Sequence, residues 1–267
     1  MRRIWLAALI SLSLSACGDA RSAGEAPAEA ASAPDLGAHR VDVCATASLR
    51  SAFEAIARAY EAQHAGAEVA LRFAGSAELL AALNAGEPCD VVAFADSSAM
   101  SRAVGAGQIA VGSPAELARN RIAIAVARGN PKGIAHVSDL ARPGVRVALG
   151  AKSASIGHHA RWVLSRAKVA VKPVAEVATA DEVYARVASG EADAGIVYTT
   201  TFLGAEPALE RVDLPAEENT PALYSIAVVR EPREKLGAEA FRAFALAAEG
   251  QRLLGEAGFL PIGAKRD

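Results

Sequence analysis

From Val41 onward, short runs of β-branched and small apolar residues alternate with longer stretches whose apolar residues recur at helical spacing. Val41-Asp42-Val43-Cys44-Ala45 predicts a strand, and Leu49, Phe53, Ile56 and Tyr60 then fall on one face of a helix. Val69 to Phe73 predicts a second strand, Leu79, Leu80 and Leu83 mark the next helix, and Asp90 to Ala95 predicts a third strand. Further strands are expected at Ile122–Val126, Val145–Leu149, Val174–Val177, Ala194–Tyr198 and Ser225–Val229, with helices between most of them. The strands are apolar runs without clean alternation, which suits parallel sheet covered on both faces. The expected fold is therefore α/β with mostly parallel sheets. Two strand–helix–strand series of about equal size imply two lobes. Residues 41–119 and 229–267 are expected to form one and residues 120–228 the other, with an amphipathic helix over Glu239–Leu254 returning to the first. Ligands of open α/β sheets bind beyond the carboxyl ends of the strands, so two facing lobes put a ligand in the cleft between them.

The first residues read as a targeting signal. Arg2 and Arg3 are followed by an apolar stretch from Ile4 to Leu14, too short to span a bilayer as a mature helix. Leu14-Ser15-Ala16-Cys17 then resembles a bacterial lipobox. The resemblance implies that residues 1–17 hold a lipoprotein signal peptide and that Cys17 is the lipid attachment site and mature N-terminus. Ordinary secretion with an incidental cysteine is the alternative. Residues 18–40, rich in Ala, Ser, Glu, Pro and Gly with almost no bulky apolar side chain, cannot bury enough surface to fold and are expected to be a flexible tether. The protein is thus expected outside the cytoplasm, held to a membrane by lipid.

Net charge is −2, so no global basic field points to nucleic acid, and an anionic ligand would have to be held locally. Cys44 and Cys89 could pair in an oxidising compartment; two buried free thiols in neighbouring strands are the slightly favoured reading. No CxxC or metal-ligand spacing is present. His158 and His159 are adjacent, and adjacent helical residues point about 100° apart, a poor arrangement for two ligands of one metal.

Four segments share one geometry: each lies where a predicted strand or turn hands over to a helix. They are Ala47-Ser48-Leu49, Gly75-Ser76-Ala77-Glu78, Ser155-Ile156-Gly157 and Ala180-Asp181-Glu182-Val183. A helix start carries unpaired N–H groups and partial positive charge, and so suits an anion. Several such termini with hydroxyl donors could hold a dianion without Lys or Arg. Taken singly, Ser48 and Ser76 are more often plain N-caps. Asp181 reads as a cap too, since an ionised carboxylate offers an anion no donor. Tyr198, alone, is more often core or rim.

The order of motifs resembles the molybdate-binding proteins of ABC transporters, across residues 41–263. The matching segments are Ala47-Ser48-Leu49 with Ala52-Phe53, Gly75-Ser76-Ala77, the run Asp90–Asp96, Gly129-Asn130-Pro131, Val147-Ala148-Leu149-Gly150, the run Gly190–Tyr198 (GEADAGIVY), and Glu249-Gly250-Gln251 leading to Gly258-Phe259-Leu260-Pro261. The resemblance implies a two-lobed periplasmic-binding-protein fold of type II. It implies that Ser48 and Ser76 hydroxyls from one lobe, N–H groups near Ile156 and Val183, and the Tyr198 hydroxyl from the other hold molybdate or tungstate. No carboxylate stands among these ligands, so hydrogen phosphate would lack an acceptor for its proton. Ile156 departs from the family, which usually has alanine in a proline-alanine-glycine turn, and Ser155 replaces the proline.

The resemblance further implies a monomer that delivers its ligand to a permease with its ATPase, with no cofactor, no protein-ligated metal and no catalysis. Another oxyanion such as sulfate, a sensor built on the same fold, and an enzyme on the same scaffold are the alternatives. Ser48 and Ser76 lack a recognisable His/Asp partner for hydrolase chemistry.

Overall fold

A computed structural model describes residues 37–203 and 209–262. Cys17, the lipobox and most of the tether lie outside the described residues. Two five-stranded sheets organise the chain. The first has the order β2-β1-β3-β10-β4, from β1 (His39–Thr46), β2 (Ala67–Ala74), β3 (Val91–Phe94), β4 (Ala115–Asn120) and β10 (Ala222–Val228). Its central strands send alternate residues to opposite faces. Val41, Val43, Val91 and Ala93 pack with Phe53, Ile56 and Tyr60 of α1 (Arg50–Gln63) and with Phe241 of α6 (Lys235–Leu246). Cys44, Val92 and Phe94 instead meet Leu79 and Leu83 of α2 (Ser76–Asn84) and Met100 of α3 (Ser97–Gly105). Because both faces are covered, the buried stretches of the central strands are largely apolar and lack a polar face.

The second sheet has the order β7-β6-β8-β5-β9, from β5 (Ile122–Ala127), β6 (Val147–Gly150), β7 (Ala175–Val177), β8 (Ala194–Tyr198) and β9 (Leu209–Asp213). It is covered by α4 (Ser155–Arg166) and α5 (Ala180–Ala188), whose Val163, Val183 and Val187 are buried.

Both sheets are mixed rather than mostly parallel. In the first, β1 runs parallel to β2 and β3, while β10 runs antiparallel to β3 and β4. In the second, β6 is parallel to β7 and β8, while β5 is antiparallel to β8 and β9. The antiparallel partners β4 and β9 are the strands that apolar patterning misses. Their sequences, AELARN and LERVD, carry charges because they stand at sheet edges. Leu260 then bridges to Arg119 on β4, with N–H···O bonds of 2.8 and 2.9 Å, and partly covers that edge.

The chain passes from the first sheet to the second through Arg121 and returns between Asp213 and Ala222. Residues 222–228, expected in the second lobe, therefore lie in the first sheet, where β10 fills the space between β3 and β4. The two crossings are tied by Asn219. Its side-chain amide accepts from the Ile122 N–H at 3.0 Å and donates to the Ile122 carbonyl at 2.8 Å.

The helix expected over 239–254 is two helices, α6 and α7 (Ala248–Glu256), separated by extended Ala247. Gln251 stabilises the break by donating to the carbonyls of Ala245 and Leu117, both at 3.1 Å. Gly250 is needed there, because a Cβ would fall 2.4 Å from the Phe244 carbonyl. Both helices pack with α1, on the first sheet. Cys44 and Cys89 form a disulfide, with Cα atoms 6.0 Å apart, where the sequence slightly favours free thiols. Cys44 lies in β1 and Cys89 in the segment just before the neighbouring β3, and the Cα separation is within the range a disulfide spans. No described helix is long and apolar enough to cross a membrane.

Candidate functional site

The carboxyl ends of β1 and β8, the turns after β2 and β7 and the starts of α4 and α5 converge on one small cavity of about 20 Å³. Thr46, Ser48, Gly75 and Ser76 line it from the first half; Ser155, Ile156, Ala180, Asp181 and Tyr198 line it from the second. Space of this size exceeds what one water needs, about 10–15 Å³, and suits a small ion rather than a sugar or peptide. A larger groove of about 850 Å³ runs along the crossover segments, between Arg119, Arg211 and Leu223, and includes none of the predicted ligand residues.

Each predicted residue reaches the cavity, or fails to, for a local reason. Ser48 sits in a short 3-10 turn, Ala47–Leu49, between β1 and α1. Its Oγ is 2.8 Å from the Tyr224 hydroxyl, to which Asn120 Nδ2 donates at 3.4 Å. An amide nitrogen only donates, so Tyr224 accepts from Asn120, while in the Ser48–Tyr224 pair either hydroxyl can be the donor. With Tyr224 donating, the Ser48 hydrogen is available to a ligand in the cavity. Ser76 opens α2, but Gly75 holds the cap position and the serine makes no capping bond. Its Oγ accepts from the Ala95 N–H at 3.3 Å, which leaves its hydrogen to donate as well. Gly75 faces Ala178 across the two halves, where a Cβ would make an ordinary contact with that carbonyl at 3.4 Å.

At the start of α4, Ser155 spends its hydrogen on the Asp96 carboxylate, which also caps α3 by accepting from the Ala99 N–H at 2.7 Å. The Ile156 N–H lies in the first helical turn and has no intrahelical acceptor. The isoleucine side chain is buried against Gly150, where an added Cβ would fall 2.5 Å from its Cγ2. Gly157 could not bear a side chain either, since a Cβ would fall 1.9 Å from the Ala151 carbonyl. Two glycines thus make room for isoleucine and let α4 start directly against the end of β6.

Val183 does not reach the cavity. Its N–H donates to the Thr179 carbonyl at 3.2 Å, inside the first turn of α5, and its side chain is fully buried. Thr179 caps the helix by accepting from the Glu182 N–H at 3.2 Å. The residues that line the cavity are Ala180 and Asp181, whose first-turn N–H groups have no intrahelical acceptor. The Val183 assignment is therefore corrected to these two positions. The difference is one helical turn: the position carried over from the family resemblance is a buried valine, whereas a free donor must precede the first i to i−4 bond.

Tyr198 ends β8 with its hydroxyl buried and without a hydrogen bond of good geometry, the Tyr224 hydroxyl being its near neighbour. Its ring meets those of Tyr224 and His159 edge-on, at 5.9 and 6.1 Å. Burial lifts the Tyr198 phenol well above its ordinary range, with smaller contributions from Tyr224 and Asp96, so it stays a neutral donor. Burial also lowers His159, whose Nε2 donates to the Ala95 carbonyl at 3.3 Å across the two halves. Among the described residues, no Lys or Arg lines the cavity. The donor set is neutral: hydroxyls, backbone N–H groups and two helix starts. One carboxylate that was not expected, Asp181, stands among them; the residue keeps solvent contact, and partial desolvation raises its carboxyl from its ordinary value against the opposing effect of Arg50. The supporting residues Tyr224, Asn120 and Thr200, the last accepting from Asn120 at 2.8 Å, come from β10, β4 and the turn after β8. No local motif marks them in the sequence.

The model of the bacterial extracellular solute-binding protein family matches residues 41–260. The chain belongs to this family. Among curated relatives, it is 35% identical over 254 residues to the molybdate-binding protein ModA of Mycobacterium tuberculosis, with 95% of each chain covered. Among solved structures, the sulfate-binding protein SubI from M. tuberculosis superposes with a TM-score of 0.71 at 22% identity, covering 84% of this chain and 88% of that one. The periplasmic molybdate-binding protein of Azotobacter vinelandii gives 0.70 at 19% identity, covering 82% and 98%. At these identities the structural matches establish the fold, the two-lobed periplasmic-binding-protein architecture.

Proposed function

We propose that this solute-binding protein captures molybdate or tungstate outside the cytoplasmic membrane and delivers it to an ABC permease and its ATPase. The observation that carries this reading is the convergence of neutral donors from both halves on a cavity sized for a small ion. The donors are the hydroxyls of Ser48, Ser76 and Tyr198 and the N–H groups of Ile156, Ala180 and Asp181. A fully deprotonated tetrahedral dianion has oxygens that only accept, and such a donor set complements it without a cation. Removing the ion from water is offset by several charge-assisted bonds, each about twice as strong as a neutral one. The likeness to ModA supports molybdate in particular.

Sulfate is the second reading, because its binding protein SubI shares the fold. The two ions differ mainly in size, so rigid donors placed for the larger one leave bonds to the smaller one stretched. The Cys17 lipid anchor, the monomeric state and the absence of catalysis belong to this proposal. The test is a thermal-shift screen of the purified chain with molybdate, tungstate, sulfate and phosphate. Ligand at about 100 times Kd stabilises by roughly 2.7 kcal/mol, so molybdate and tungstate should raise Tm at concentrations where sulfate does not. A screen in which none of the four raises Tm would refute the reading.

A further inference from the structure

The cavity lining contains one side chain, the Asp181 carboxylate, that this function does not use, although the N–H of the same residue serves as a donor. Asp181, the second residue of α5, borders both the cavity and a vestibule of about 280 Å³ that opens past Ser48 toward Arg50 and Thr201. The other polar side chains of the cavity are hydroxyls: Thr46, Ser48, Ser76, Ser155, Thr179 and Tyr198. Among the described residues lining it, Asp181 is thus the one carboxylate, a pure acceptor in a ring of donors. The charged and titratable groups facing it are Arg50 from α1, Glu182 from its own helix and Tyr224 from β10, with Tyr198 across the cavity. Asp96 and His159 stand at the Tyr198 end. Glu182 is engaged with the Ala178 N–H at 2.8 Å. Arg50 lies over the Phe73 ring, 4.4 Å from its centroid, and 3.7 Å from Glu54.

The consequence for ligand choice follows from hydrogen counting. A fully deprotonated oxyanion cannot donate, so an ionised carboxylate beside it repels it and forms no bond. An oxyanion that keeps one proton donates that proton to the carboxylate while its other oxygens accept from the ring. We propose that Asp181 is a specificity-determining residue: it accepts the proton of a protonated tetrahedral oxyanion and disfavours a deprotonated one. A deprotonated ion then binds with uptake of one proton by Asp181, which restores the same count of hydrogens in the site. Asp181 keeps contact with solvent, yet partial desolvation of its carboxyl raises its pKa, the direction this requires. Affinity for molybdate or sulfate should accordingly strengthen as pH falls toward neutrality from above.

This inference rests on the cavity being an oxyanion site, and the test separates the two. The purified full chain and its Asp181→Asn variant are titrated calorimetrically with molybdate, sulfate and inorganic phosphate at slightly alkaline pH, in two buffers of different ionisation heat. The amide side chain of the variant cannot ionise, so the variant should bind molybdate and sulfate about tenfold more tightly, the effect of one pKa unit of differential interaction. It should bind phosphate no more tightly, so the preference for molybdate over phosphate rises about tenfold or more. The wild type should take up part of a proton with molybdate, and the variant none. Asp181→Ser, which keeps a residue compatible with an early helix position, repeats the comparison if the first variant melts below the wild type. A preference and a proton count that do not change in either variant overturn the role of Asp181 and leave the oxyanion site standing. A wild type that binds none of the three ions overturns both.

Discussion

Replacing Tyr198 by phenylalanine separates a ligand donor from a structural hydroxyl. The Tyr198 side chain is 3% exposed and its hydroxyl lacks a hydrogen bond of good geometry among the described residues. A buried polar group left unpaired costs about 1–3 kcal/mol. Deleting it removes that cost and almost no volume, while ring contacts with Tyr224 and His159 persist. The ligand-free variant should therefore be as stable as the wild type or more so. In the complex the same hydroxyl donates to the ion, so its loss should weaken binding by about 1–3 kcal/mol, roughly 5- to 150-fold. The two effects have opposite signs, which a structural hydroxyl cannot produce. Thermal melts of the ligand-free proteins give the first and calorimetric titration with molybdate gives the second. A variant that binds as tightly as the wild type, or one destabilised without ligand, would refute the placement of Tyr198 as a donor. Because burial holds the phenol well above its usual range, the neutral donor persists as pH rises. Ionisation of Tyr198 should thus not limit binding up to about pH 9, below the ordinary tyrosine range.

Three further outcomes follow. Ala180→Pro should weaken molybdate binding by about 1–3 kcal/mol through loss of one N–H. It should leave the melting temperature nearly unchanged, since proline suits the first helical position and Thr179 before it is extended; unchanged affinity would return the donor to another residue. Reducing the Cys44–Cys89 disulfide, which closes a separation of 45 residues, should cost up to about 4 kcal/mol by chain entropy, read from denaturant unfolding with and without reductant; equal midpoints would contradict it. Cys17→Ala should abolish acylation and release the protein from the membrane fraction, read by intact mass and fractionation; a wild-type chain without acyl mass would dismiss the anchor.

Much of the fold was legible because the buried strands are apolar on both faces. Val91 to Phe94 and Ala194 to Tyr198 read directly as strands, and the strand-to-helix junctions marked the segments around Ser48, Ser76 and Ile156, while the family resemblance supplied their roles and that of Tyr198. What escaped was set by tertiary contacts. Strands β4 and β9 carry charges on sheet edges and read as loops. The return to the first sheet came at Ala222 rather than Val229, because β10 is chosen by its partners β3 and β4 and not by its own sequence. The break at Ala247 depends on Gln251 reaching Leu117, a contact far away in sequence. In the site, the family resemblance pointed to Val183, one turn past the free donors of Ala180 and Asp181. Asp181 read as a cap, whereas Thr179 performs the capping and the carboxylate borders the cavity. Tyr224 and Asn120, which aim the Ser48 hydroxyl, sit in ordinary stretches of β10 and β4 and become visible only once the two strands lie side by side.

Donors from both halves are held here to close on a small tetrahedral oxyanion. Calorimetric titration of the purified wild-type chain with molybdate and with sulfate tests this most directly. One saturable site is expected for molybdate, with sulfate at least about tenfold weaker, the effect of one stretched or missing bond of roughly 1.4 kcal/mol in a closed cavity. Equal affinities, or no saturable heat with either ion, would contradict it.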